Sequence, residues 1–83
     1  MPRFLIYQKD FIKILKEYNF RYTHTKGSHN FWEGSINGKY YVVQVDVKYD
    51  FYSDTLLMIM IVQSGIPKEV FKVFRKTGRI IKL

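Results

Sequence analysis

Apolar positions along this chain follow first a helical period and then a strand period. Phe11, Ile14, Leu15 and Tyr18 fall at i, i+3, i+4 and i+7, with Lys9, Lys13, Lys16 and Glu17 on the other side. That spacing predicts an amphipathic helix over Gln8 to Tyr18. Asp10 near its start suits the helix dipole, and Asn19 suits a left-handed terminator. The period then falls to two. Phe20 to Thr25 alternates bulky and polar residues, Lys26-Gly27 interrupts it, and Ser28 to Ile36 resumes as a second strand. Asn37-Gly38 is the strongest short hairpin signal in the chain. Lys39 to Val47 answers as a third strand, with Tyr41, Val43, Val45 and Val47 on one face and Tyr40, Val42, Gln44 and Asp46 on the other.

Beyond the strands the pattern changes again. Lys48 to Tyr52 reads as a loop with exposed aromatics, and Ser53 as an N-cap with Asp54 in the first turn. Leu56 to Val62 is an unbroken apolar run, whose period alone does not separate helix from buried strand. The Ser53 cap, the Leu and Met content, Gly65 at C′ and Pro67 beyond it favour a helix. Pro67 suits N1 of a last helix, Lys68 to Lys76, that turns Val70, Phe71 and Phe74 inward and ends at Thr77-Gly78. Arg79 to Leu83 is a short extended tail or a frayed end. The expected fold is α+β in the order α-β-β-β-α, a three-stranded antiparallel sheet with helices on one face and a short extra C-terminal helix.

Composition narrows the class. At 83 residues the chain reads as one small domain over 1–83, and 47% hydrophobic content with 18% aromatic is enough for a core. With no cysteine, neither disulfides nor thiolate metal sites are available. Two histidines and seven carboxylates show no ligand-like spacing, so no metal and no cofactor is expected. Asp46, Asp50 and Asp54 are spread through strand and loop with no fixed geometry implied. The run from Leu56 to Val62 is short of the roughly 18–20 residues that span a bilayer. The N-terminus turns charged at Lys9 and Asp10, too early for a secretory signal, so a cytoplasmic protein is the expectation. Fourteen Lys and Arg against seven Asp and Glu give a net charge of +7, which points first to a polyanion and second to an acidic protein as partner.

The chemistry concentrates in Lys26-Gly27-Ser28-His29. Lysine brings charge for phosphate, glycine lets backbone turn through positive φ, serine donates or accepts, and imidazole exchanges protons near neutral pH. Arg21, Lys39 and Lys48 are further candidates for phosphate contact. His24, on the strand before the loop, faces either the same side of the sheet or the core. Phe31, Trp32, Tyr40 and Tyr41 are either core and cross-strand pairs or stacking platforms for unpaired bases.

This order of elements, with Lys26-Gly27-Ser28-His29 opening the second strand, resembles the HicA family of mRNA-cleaving toxins. Residues Lys9 to Glu17 are similar to the family's first helix, and Asn19-Phe20 stands where Gly-Phe is common. Asp54-Thr55-Leu56 followed by Gln63-Ser64-Gly65-Ile66 is similar to its second helix and Gln-x-Gly-Ile ending, and Phe71 stands at a usual aromatic position. Val43-Gln44-Val45-Asp46 departs from the family's Val-Pro-Val-His, and Tyr49, Phe51 and Tyr52 replace a Lys-rich segment. The resemblance implies a fold like a double-stranded-RNA-binding domain and His29 as catalytic general acid/base, with Gly27 and Ser28 shaping its loop. It also implies metal-independent cleavage of single-stranded RNA, including mRNA, and a HicB-like antitoxin as partner. The rival expectations are a catalytically silent RNA-binding module of the same fold and a basic protein–protein interaction module.

Overall fold

The computed structural model describes residues 4–82; Met1 to Arg3, where the signal-sequence reading begins, and the tail's last residue, Leu83, lie outside the described residues. The chain folds as β1 (Leu5–Tyr7), α1 (Gln8–Glu17), β2 (Arg21–Lys26), β3 (His29–Ile36), β4 (Lys39–Asp46), β5 (Phe51–Ser53), α2 (Asp54–Ser64) and α3 (Lys68–Thr77). Among the described residues it is an α+β protein with a three-stranded antiparallel sheet in the order β2-β3-β4 and three helices.

Helix α1 buries Phe11, Ile14 and Leu15, the stripe its period marks out. It ends in a Schellman arrangement: Asn19 takes φ 65, its N–H bonds Lys16 O at 3.0 Å, and the Phe20 N–H bonds Leu15 O at 2.9 Å. The left-handed residue turns the chain straight into β2. Phe20 lands in the core against Gly34, where an added Cβ would come within 2.7 Å of its ring. The Asn37-Gly38 turn has φ of 51 and 80, the two positive values that a type I′ hairpin requires. It closes the pair Ile36 and Lys39, and pairing then runs in register to His29 opposite Asp46.

Alternation sorts the sheet into two faces. Trp32, Val43 and Val45 point inward, where they meet Phe11, Leu57, Met60, Val70 and Phe71 in one core. The other face is open to solvent. At the buried end of the core, Phe11 and Phe71 stack with ring centroids 5.2 Å apart.

Several expectations need correction. Phe51 and Tyr52 are not loop: with Ser53, which caps α2 as its position predicts, they form β5, paired antiparallel with β1 as a two-stranded ribbon, so the architecture holds five strands among the described residues. Tyr52 is only 1% exposed and lies in the core opposite Ile6, while Phe51 and Tyr49 are exposed. Val47 lies just past the end of β4 and is exposed rather than inward, because the strand stops at Asp46. Pro67 is the N-cap of α3, not its first helical residue. Val70 and Phe71 are buried as their spacing predicts, and Phe74 is half-buried against the core. Gly65 and Gly78 both take left-handed φ after α2 and α3.

Candidate active site

Two short turns bring the site together. Gly27 takes φ 61 in a two-residue turn with Ser28, which sets Lys26 directly opposite His29. On the other flank of β3, His29 stands opposite Asp46. Directly opposed residues share a sheet face, so Lys26, His29 and Asp46 form one row across three strands at the end of the open face. His29 Nε2 lies 3.6 Å from Asp46 Oδ2. The His29 side chain is 45% exposed and that of Asp46 12%, so the imidazole is reachable while the carboxylate sits behind it.

Asp46 is held from several directions. Its Oδ1 accepts the Lys48 N–H at 3.2 Å, and its backbone carbonyl accepts the buried Tyr52 hydroxyl at 2.7 Å. The turn that follows is pinned by Gln8, whose Nε2 donates to Val47 O at 3.2 Å and to Tyr49 O at 2.8 Å. The Val47 N–H bonds Ser28 O at 2.8 Å, tying this turn to the one before His29. Burial pushes the Tyr52 phenol up to about 12, with the Asp46 charge adding to the rise and a Gln8 hydrogen bond opposing it. Tyr52 is therefore a neutral donor at physiological pH, suited to fixing a carbonyl.

The remaining candidates divide. Arg21 is on the open face, farther along β2, opposite Glu33. Lys48 lies beyond Val47 in the turn after Asp46, its ammonium 5.3 Å from the Tyr49 ring centroid. Lys39 is not brought to the site. It pairs with Ile36 at the far end of the sheet, with its ammonium over the Tyr41 ring at 5.7 Å. Trp32 is buried beside Tyr22 and beneath Lys16, and Tyr41 packs against Gly65, so neither offers a face to a base. Phe31 and Tyr40 lie on the open face. His24 lies there too, stacked on Phe31 rather than turned to the core.

Asp46 is the site residue that composition and motif reasoning passed over. The signal was present in the hairpin: counting pairs outward from Asn37-Gly38 sets His29 opposite Asp46. Among the described residues, no group of three or more His, Asp and Glu side chains is placed to hold a metal ion. No described helix is long and apolar enough to cross a membrane. A surface concavity of about 660 Å³ runs along α3 between Phe4 and the basic residues Lys68, Lys72, Arg75 and Lys76, and contains none of the candidate site residues. The Lys26–His29–Asp46 row lies instead at the end of the open sheet face. No protein-family model, no curated protein and no solved structure matches this chain.

Proposed function

We propose that this protein is a HicA-like ribonuclease toxin with a fold like a double-stranded-RNA-binding domain, cleaving single-stranded RNA without a metal. The observation that carries the reading is the row Lys26, His29, Asp46 on an open sheet face of a chain with net charge +7. A carboxylate beside Nε2 favours the proton on that nitrogen, which leaves Nδ1 of His29 to work on substrate. As base, the imidazole takes the proton of a ribose 2′-OH, and the freed oxygen attacks the adjacent phosphorus. The P–O5′ bond breaks, the 5′-oxygen leaves with a proton returned by an acid, and the products carry 2′,3′-cyclic phosphate and 5′-hydroxyl ends. A positioned acid/base group of this kind contributes roughly 100- to 10,000-fold. Lys26, across the strand pair, neutralises the phosphate. Asp46 is a positioning residue that fixes the ring.

A second surface supports the partner part of the reading. Leu56, Ile59 and Val62 lie exposed along one side of α2, with Val62 at 72% exposure. Tyr49 and Phe51 extend this apolar area toward the His29 end, and both line an open groove with Leu56. A HicB-like antitoxin, acidic and apolar in patches, would cover this surface and occlude Lys26 and His29. Its on-rate would fall with salt, while the apolar contacts would govern dissociation. The testing experiment is cleavage of end-labelled RNA in EDTA by the parent and by His29→Ala, with product ends identified.

A further inference from the structure

Next to the Lys26–His29–Asp46 row on the open face lies a second row that the cleavage chemistry does not use: His24, Phe31 and Gln44. The His24 and Phe31 rings are stacked with centroids 4.3 Å apart and planes only 10° from parallel. A register shift between Tyr22 and His24 makes Thr23 the extra residue of a bulge, and bulges re-aim the side chains beside them. Thr23 Oγ1 lies 3.0 Å from His24 Nδ1 and donates toward Glu33 Oε2 at 2.9 Å and Phe31 O at 3.2 Å. A hydroxyl so engaged accepts from Nδ1–H, which holds the imidazole upright against Phe31. His24 is exposed on the edge strand, so among the described residues no further strand covers the outboard face of its ring.

We infer that this ring pair is a stacking platform for one unpaired nucleobase of the RNA, that of a nucleotide adjoining the scissile phosphate. The inference rests on the ribonuclease reading and adds a base subsite to it. Two residues along a strand is about 7 Å, so the platform stands within one nucleotide's reach of His29. Arg21 and Lys26 flank His24 on the same face, one on each side, where a backbone running over the platform would place phosphates. Cations alternating with a flat ring are the arrangement single-strand binders use, and every base offers a π face. Because the rings are already stacked and held by Thr23, little rotamer freedom is lost when a base adds to the pile. The platform selects for unpaired bases over duplex and only weakly among the four.

The test measures anisotropy of a labelled 2′-O-methyl oligoribonucleotide, which cannot be cleaved through its 2′-oxygen. His24→Ala is expected to bind about tenfold more weakly than the parent, the size of one base–aromatic stack. His24→Tyr retains the ring and is expected to bind as the parent does. His24→Thr, a strand-favouring residue without a ring, serves as a second variant with unchanged thermal midpoint. On an abasic strand of equal length and charge, parent and His24→Ala are expected to bind equally. Parent binding with His24→Ala within about twofold on the base-bearing strand overturns the platform and leaves the ribonuclease reading standing. Equal losses on base-bearing and abasic strands overturn it too, because the ring would then act without a base. Failure of the parent to bind any single strand overturns the ribonuclease reading itself.

Discussion

The buried Tyr52 hydroxyl donates to the backbone carbonyl of Asp46, the residue whose carboxylate faces His29. The ribbon of β1 and β5 thereby reaches the end of the main sheet and fixes the strand end on which the imidazole relies. Removing the hydroxyl in Tyr52→Phe leaves that carbonyl without its donor, an expected cost of about 1–2 kcal/mol. In a domain of this size that lowers the thermal midpoint by roughly 4–8 °C per kcal/mol. Cleavage should slow as well, because Asp46 is less tightly placed.

The same phenol makes stability depend on alkaline pH. Its value is raised from 10.0 in the unfolded chain to about 12 in the fold, so the neutral form is favoured by folding. The contribution is complete below pH 10 and is lost as pH rises towards about 12. Denaturant titrations across that window should show the parent losing stability more steeply than Tyr52→Phe. Parallel slopes would contradict the assignment.

Asp46→Asn tests the pair directly. The amide oxygen still accepts from the Lys48 N–H, so the turn is preserved while the charge behind Nε2 is removed. We expect kcat to fall about 10- to 100-fold with KM nearly unchanged, less than the roughly 10⁴-fold cost at a fully buried triad aspartate. Asp46→Glu, which keeps the charge, should recover part of the loss. A change confined to KM would instead make Asp46 a substrate contact.

Two glycines with similar φ separate packing from turn geometry. At Gly65, φ is +67 and an added Cβ would run into the Tyr41 ring; at Gly27, φ is +61 and nothing lies within 4 Å. Gly65→Ala carries overpacking of about 1–3 kcal/mol in addition to its left-handed penalty. Gly27→Ala should cost only the conformational term of about 1–2 kcal/mol. Gly27→Asn, which tolerates that conformation, should keep both fold and cleavage. Thermal melts of the three variants order them.

How far the sequence led depended on how local each signal was. The end of α1 at Asn19-Phe20 and the turn at Asn37-Gly38 are written in a few adjacent residues, and the structure places both as read. The β1–β5 ribbon was illegible because each strand has three residues, too few to show a period of two. The burial of Tyr52 depends on Ile6, a partner far away in sequence. Lys39 is a candidate phosphate contact by its charge beside the Asn37-Gly38 turn, and only the register shows that it stands at the far end of the sheet from His29. The side to which His24 turns depended on the bulge at Thr23, which no alternation pattern announces.

Phosphate contacts should be visible in salt dependence. Each neutralised phosphate on a single strand contributes about −0.7 to the slope of log K against log salt. Lys26→Gln should reduce the slope by about that amount, and Lys39→Gln should leave it unchanged. Equal effects of the two would argue for diffuse attraction by net charge rather than a localised site.

The central claim is that His29 moves the proton in RNA cleavage. The most direct measurement incubates end-labelled single-stranded RNA in EDTA with the parent and with His29→Ala, then identifies the product ends. The parent is expected to yield 2′,3′-cyclic phosphate and 5′-hydroxyl ends, and His29→Ala to be slower by roughly 100- to 10,000-fold. A strand with 2′-deoxyribose at the cleaved position should remain intact. Cleavage by His29→Ala at the parent's rate, or RNA binding by the parent with no cyclic ends formed, would contradict the account.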